Sequence, residues 1–198
     1  PLRVPRGENT VAVRFRAHPV SGLETPPIQV VRAILARYPL RWDGTHGLPH
    51  WARVLETGQR LAGETGADRE IVALFAVFHD SCRENEGWDD GHGRRGAELA
   101  ASLRGRLFDL EPARFDMLYH ACEYHTDGGT EGDVTILTCW DADRLDLGRV
   151  LITPSPEFLC TPAARRRETI DWAEARSRSG FVPEIVIREW MPLPGEEQ

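Results

Sequence analysis

Ile71-Val72-Ala73-Leu74-Phe75-Ala76-Val77-Phe78-His79-Asp80 is the most apolar run in the chain, and it closes on an imidazole beside a carboxylate. Polar Ser81-Cys82-Arg83-Glu84-Asn85 follows at once. The run is apolar on nearly every side and starts behind Asp68, a helix-capping residue type, so it predicts a central, buried helix. A His-Asp pair at the exit of such a helix loses its hydration, and a metal ion is the commonest compensator.

Around that run, 198 residues suit one domain with a substantial core, or one domain with short arms. With 41% hydrophobic and 28% charged residues, the composition is that of an ordinary globular protein. No apolar stretch approaches the roughly eighteen residues a membrane span needs, and the first residues lack the order of a secretory signal. A cytoplasmic location without membrane contact is therefore expected. All 24 basic residues are arginine, which excludes a Schiff-base lysine and a P-loop lysine. A net charge of −7, with arginines scattered among acids, argues against a broad nucleic-acid surface. Cys82, Cys122, Cys139 and Cys160 are spread singly, a pattern of reduced thiols and neither a zinc ribbon nor a disulfide framework.

The remaining chain reads as helices joined by polar connections. Residues 1–26 form an arm with a possible strand at Val11–Phe15. Apolar spacing predicts helices at Ile28–Tyr38, Pro49–Ala62, Glu70–Phe78, Gly96–Leu107, Pro112–Tyr124 and Val134–Leu147, then 162–178. Val182–Ile187 reads as a short strand. The expected organisation is an arm at 1–26, a helical metal-binding domain at 27–178 and a tail at 179–198, and the fold class is mainly α.

On these elements His50 opens the second helix, His79 and Asp80 end the third, and Asp143 lies on the sixth within Trp140-Asp141-Ala142-Asp143-Arg144-Leu145. Side chains from facing helices of a bundle can converge on one cation, and imidazoles with carboxylates suit Mn, Fe, Co, Ni or Zn, with Mg also admitted. Asp141 competes with Asp143, since two residues two apart point to different sides of a helix.

The order His50, His79-Asp80, Asp143 resembles the HD-domain superfamily of metal-dependent phosphohydrolases, whose signature is H…HD…D. His50-Trp51-Ala52-Arg53-Val54 is similar to its first-helix motif and Ala142-Asp143-Arg144-Leu145 to its closing motif, so the likeness spans roughly residues 43–150. The resemblance favours Asp143 over Asp141 and implies a helical bundle in which His50, His79, Asp80 and Asp143 hold an ion. Gly91-His92-Gly93-Arg94-Arg95-Gly96-Ala97 and Tyr124-His125-Thr126-Asp127-Gly128 are further similar to HD subfamilies with two metals, such as proteins like the symmetrical diadenosine tetraphosphate hydrolases. That likeness implies a second ion on His92 and His125 with Asp80 bridging. The alternative is that His92 caps a helix from a loop and His125 is an ordinary helix-end histidine.

Ser81–Asp90 departs from the family's usual continuation after the HD pair, which carries a lysine; Arg83, Arg94 or Arg95 is the expected substitute for clamping phosphate. Asp80, Arg83 and Glu84 are the candidate catalytic groups, Glu84 as a general acid or base from an acidic cluster with Glu86, Asp89 and Asp90. His46, Arg94, Arg95 and Arg149 are candidate substrate residues, with Asp146 and Arg149 placed to orient ligands or clamp phosphate. His120, five before His125, points away from it. Trp51, Trp88 and Trp140 flank the expected site and either stack on a base or pack in the core. The resemblance implies hydrolysis of a phosphate ester or anhydride in a nucleotide or other small phosphorylated metabolite by a metal-activated water. Two other classes stay open: an HD-type di-iron oxygenase and a non-catalytic HD ligand-binding module.

Overall fold

The computed structural model of the protein describes residues 23–191. The expected strand at Val11–Phe15 lies outside them. Eight apolar residues in a row do form the central helix: α3 (Arg69–Phe78) is buried from Ile71 to Phe78. Asp68 caps it by accepting from the backbone N–H of Glu70 and Ile71. Its neighbours are α2 (Leu48–Thr65), α4 (His92–Leu103), α5 (Pro112–Glu123) and α6 (Val134–Arg144), all in contact with it. Because a helix apolar all round has no face to give to solvent, the others wrap it.

Pro49 opens α2 near its first turn, as the fixed φ of proline favours. The N-terminal α1 (Ile28–Leu35) adds Val30, Val31 and Ile34 to the same core. Beyond α6 come 3-10 turns at Leu147–Val150 and Pro156–Phe158, then α7 (Pro162–Arg165) and α8 (Arg167–Arg178). A smaller cluster of Leu61, Leu145, Leu159, Ala164, Ile170 and Ala173 fastens these to α2. No β-strand occurs among the described residues.

Several boundaries differ from expectation for physical reasons. α4 begins at His92, a full turn before Gly96, because Gly91 takes φ 78° and turns the chain into the helix. α6 stops at Arg144 and tightens into the 3-10 turn. The 162–178 segment breaks at Arg166, whose ψ of 136° is extended. Val182–Ile187 is not a strand: the chain turns after Pro183 into a π-helical turn, Val186–Trp190. Val186 and Trp190 are four apart and both buried, a helical spacing that outweighs the β-branched composition of the run.

Candidate metal centre

The four histidines come from four different helix ends. His50 stands in the first turn of α2, His79 caps the C-terminus of α3, His92 is the first residue of α4, and His125 follows α5. α4 reaches this spot because its glycines face bare backbone. A Cβ on Gly96 would strike the carbonyl oxygen of Phe78, and one on Gly93 would strike that of Cys122 and the ring of His125. Phe75 stacks on His79, with ring centroids 4.9 Å apart.

Each imidazole is held by its Nδ1. His50 Nδ1 donates to Asp146 Oδ2 (2.7 Å), His79 Nδ1 to Phe75 O (3.1 Å), His92 Nδ1 to Asp89 O (2.6 Å) and His125 Nδ1 to Cys122 O (2.7 Å). Carbonyl oxygens only accept, and Asp146 is kept ionised by His50 and Arg53 against the upward push of burial. All four Nδ1 atoms therefore carry hydrogen, and in the neutral rings every Nε2 offers a lone pair. Those lone pairs face one another: His50 Nε2 to His79 Nε2 is 3.0 Å, and His92 Nε2 to His125 Nε2 is 3.0 Å.

Asp80 stands between the two pairs. Its Oδ2 lies 3.4 Å from His50 Nε2 and 3.7 Å from His79 Nε2, while Oδ1 lies 3.1 Å from His92 Nε2 and 3.8 Å from His125 Nε2. Asp143 Oδ1 joins the first pair at 3.4 Å and 3.7 Å and is buried without a hydrogen-bond partner. Two donor sets result, His50-His79-Asp80 with Asp143 adjoining, and Asp80-His92-His125. Lone pairs aimed at lone pairs and an orphaned carboxylate oxygen are what a divalent cation satisfies, so both sets fit metal ligation by imidazole and carboxylate.

The electrostatics agree. Burial pushes His79 down to about 3 and so keeps it neutral, as a ligand must be. Burial alone would raise Asp143, but the facing His79, Arg149, His50 and His125 hold it at about 2. Asp80, despite burial, sits well below the usual carboxylate range because of the imidazoles around it. His125 is raised against the pull of burial by the carboxylates of Asp80 and Asp143, which marks a place where positive charge is favoured.

Asp141 faces away from both sets. It accepts from the backbone N–H of Cys160 and Thr161 and from the Thr161 hydroxyl, tying α6 to the start of α7. Arg53, to which the sequence alone assigns no role, lies three residues after His50 on α2. It forms a two-pronged ion pair with Asp146 through Nε (2.7 Å) and Nη2 (2.9 Å), fixing the carboxylate that orients His50.

The other candidates divide between the centre and the surface. Arg83 is buried beside Asp80, and Arg149 is half-buried, with Nε and Nη1 making no hydrogen bond, Nη1 3.9 Å from Asp146 Oδ2 and Nη2 3.7 Å from Asp143 Oδ1. His46 is buried next to His50, its Nδ1 2.6 Å from Glu86 Oε2, and burial lowers its pKa. Arg95 pairs with Asp89 and donates to the carbonyl oxygens of Cys82 and Asp90, bracing the 81–90 loop. Glu84 and Arg94 point to solvent, where Arg94 pairs with Glu98. Trp51 and Trp140 are core residues, Trp88 is 91% exposed, and His120 is exposed.

A cavity of about 420 Å³ opens onto the centre. Asp80, Asp143, Arg83 and Arg149 line its floor, and Leu147, Ile152, Pro154, Phe158 and Leu159 supply apolar walls. No helix among the described residues is long and apolar enough to cross a membrane.

An all-helical fold with histidines and aspartates gathered at its helix ends defines a class of metal-binding helical domains. The HD domain profile matches residues 48–150, more than half of the 198 residues, and the chain belongs to the HD-domain family. Members of that family are typically metal-dependent hydrolases. No curated protein and no solved structure matches the chain.

Proposed function

We propose that the chain is a two-cation phosphohydrolase acting on a nucleotide or another small phosphorylated metabolite, through the domain at residues 27–178. The observation that carries this reading is the arrangement of four Nε2 lone pairs around the two oxygens of one carboxylate, Asp80. His50, His79, Asp80 and Asp143 would hold the first ion, and Asp80, His92 and His125 the second. Divalent cations there supply Lewis acidity, lowering the pKa of water from about 15.7 toward neutrality and offsetting phosphoryl charge.

The chain's own residues bind and orient. Arg149, half-buried with two nitrogens that make no hydrogen bond, presents a guanidinium to phosphoryl oxygens next to Asp143. Asp146 and Arg53 keep the His50 lone pair directed at the centre. The cavity is near the lower end of the range of roughly 300–1,000 Å³ typical of small-ligand sites, and its apolar walls suit the organic part of a compact substrate.

The test is metal analysis of the purified protein followed by a phosphate-release screen over nucleotides and small phosphate esters with Mn, Co, Ni, Mg or Fe added. Release by the parent and its loss in Asp80→Ala is the expected result. Equal rates for the two proteins would sink the mechanism. Bound iron with an absorbance change on oxygen exposure and no phosphate release would favour the oxygenase instead, since the same six ligands suit it.

A further inference from the structure

We infer that Arg83 is a resident cation of the Asp80-His92-His125 set, weakening that set for a divalent ion and exchanging with the ion when phosphate enters the cavity. The inference rests on the two-cation reading above. Arg83 Nη1 lies 3.1 Å from His92 Nε2 and 3.3 Å from Asp80 Oδ1. These are two of the three ligands of that set.

Exclusion follows from counting lone pairs. The Nδ1 of His92 is committed to Asp89 O, so Nε2 carries the only lone pair that ring has to give. A guanidinium N–H and a metal ion cannot share it. Charge acts in the same direction, because a divalent ion bound at Asp80 Oδ1 would sit against the guanidinium already there. The first set is arranged differently: Arg149 stays 3.7 Å from Asp143 Oδ1, and that oxygen has no hydrogen-bond partner.

Arg83 is tethered and has somewhere to go. Its Nη2 donates to Gly87 O (2.6 Å) and its Nε to Asn85 O (3.4 Å), so the 81–90 loop holds the guanidinium over the second set. Arg83 also lines the cavity. A phosphate there offers it a two-pronged, charge-assisted contact in exchange for His92 and Asp80. The two sets are thus unequal, and phosphate reduces the inequality.

Calorimetric titration of the chelator-treated protein with Mn²⁺, with and without orthophosphate, reads this directly. The parent is expected to bind one ion tightly and a second more weakly, with His92→Ala removing only the weak site. Arg83→Met, which keeps the length of the side chain without its charge, should tighten the weak site by roughly 10- to 100-fold and leave the tight site unchanged. Orthophosphate should tighten the weak site of the parent, an arm that needs no variant.

A weak site no tighter in Arg83→Met than in the parent overturns the inference while the two-cation reading stands. So does a parent whose weak site is indifferent to phosphate. A single ion per chain in both the parent and Arg83→Met overturns the inference and the two-cation reading together.

Discussion

Asp146→Ala removes one carboxylate that hydrogen-bonds two buried partners, His50 and Arg53, and lies 3.9 Å from Arg149 Nη1, and its cost follows from what is left behind. Arg53 loses the acceptors of Nε and Nη2 and keeps only the Phe181 carbonyl oxygen on Nη1. Removing one partner of a buried ion pair strands the other charge, typically at ~3–5 kcal/mol. For a chain of this size each kcal/mol moves the thermal midpoint by ~2–4 °C, so a fall of roughly 6–20 °C is expected. His50 simultaneously loses the acceptor that fixes its Nδ1–H, and loss of such an outer partner lowers metal affinity by ~10–100-fold.

Urea unfolding in the presence of chelator isolates the first effect, and Mn²⁺ titration of the folded protein isolates the second. Asp146→Asn should retain more stability, yet its amide must turn an N–H toward either His50 or Arg53. If Asp146→Ala unfolds within ~1 kcal/mol of the parent, the uncompensated-charge argument is wrong. If its ion affinity is unchanged, the orienting role is wrong.

Asp141→Ala and Asp143→Ala should behave oppositely. The first strands the donors of Cys160 and Thr161, destabilising by ~2–5 kcal/mol with metal content retained, and the second loses metal with the fold intact; the reverse result would reassign the ligand. Gly93→Ala forces a methyl into Cys122 O and the His125 ring, so metal titration should show the Asp80-His92-His125 set lost or weakened first, and two undiminished sites would refute the close-approach argument. Asp68→Ala removes the cap of α3 at ~1–2 kcal/mol, measured by urea midpoint at neutral pH. Arg114 holds the Asp68 pKa below its unfolded value, so this contribution is complete above about pH 4 and fades as pH falls through the folded pKa. The gap between the parent and Asp68→Ala should accordingly narrow in acid.

How much of this was legible in the sequence depends on how local the cause is. The buried helix at 71–78 announces itself because eight apolar neighbours need no partner to be recognised. The order His50, His79-Asp80, Asp143 is readable through its likeness to the HD signature, and each group lies on or at the end of a separate helix. The start of α4 is obscured by two helix-poor residues, Gly91, whose φ of 78° turns the chain into the helix, and Gly93, which lets the helix approach Cys122 O and the His125 ring. At 182–187 the β-branched composition concealed a four-residue spacing, and only packing reveals which of the two wins. Arg53 looks like a solvent residue until Asp146, 93 positions away, is folded beside it. The grip of the 81–90 loop on Arg83 is made by backbone carbonyls, which no residue type advertises.

The facing ring lone pairs of His50 and His79 and an oxygen of Asp143 with no donor raise the free energy of the ion-free chain. Ions that bind only the folded form lower it by RT ln(1 + [L]/Kd), about 2.7 kcal/mol at a hundredfold excess over Kd. On the two-cation reading, the stability of this fold is then tied to its supply of ions. The same contacts that would hold an ion would then make the loaded fold more durable than the empty one.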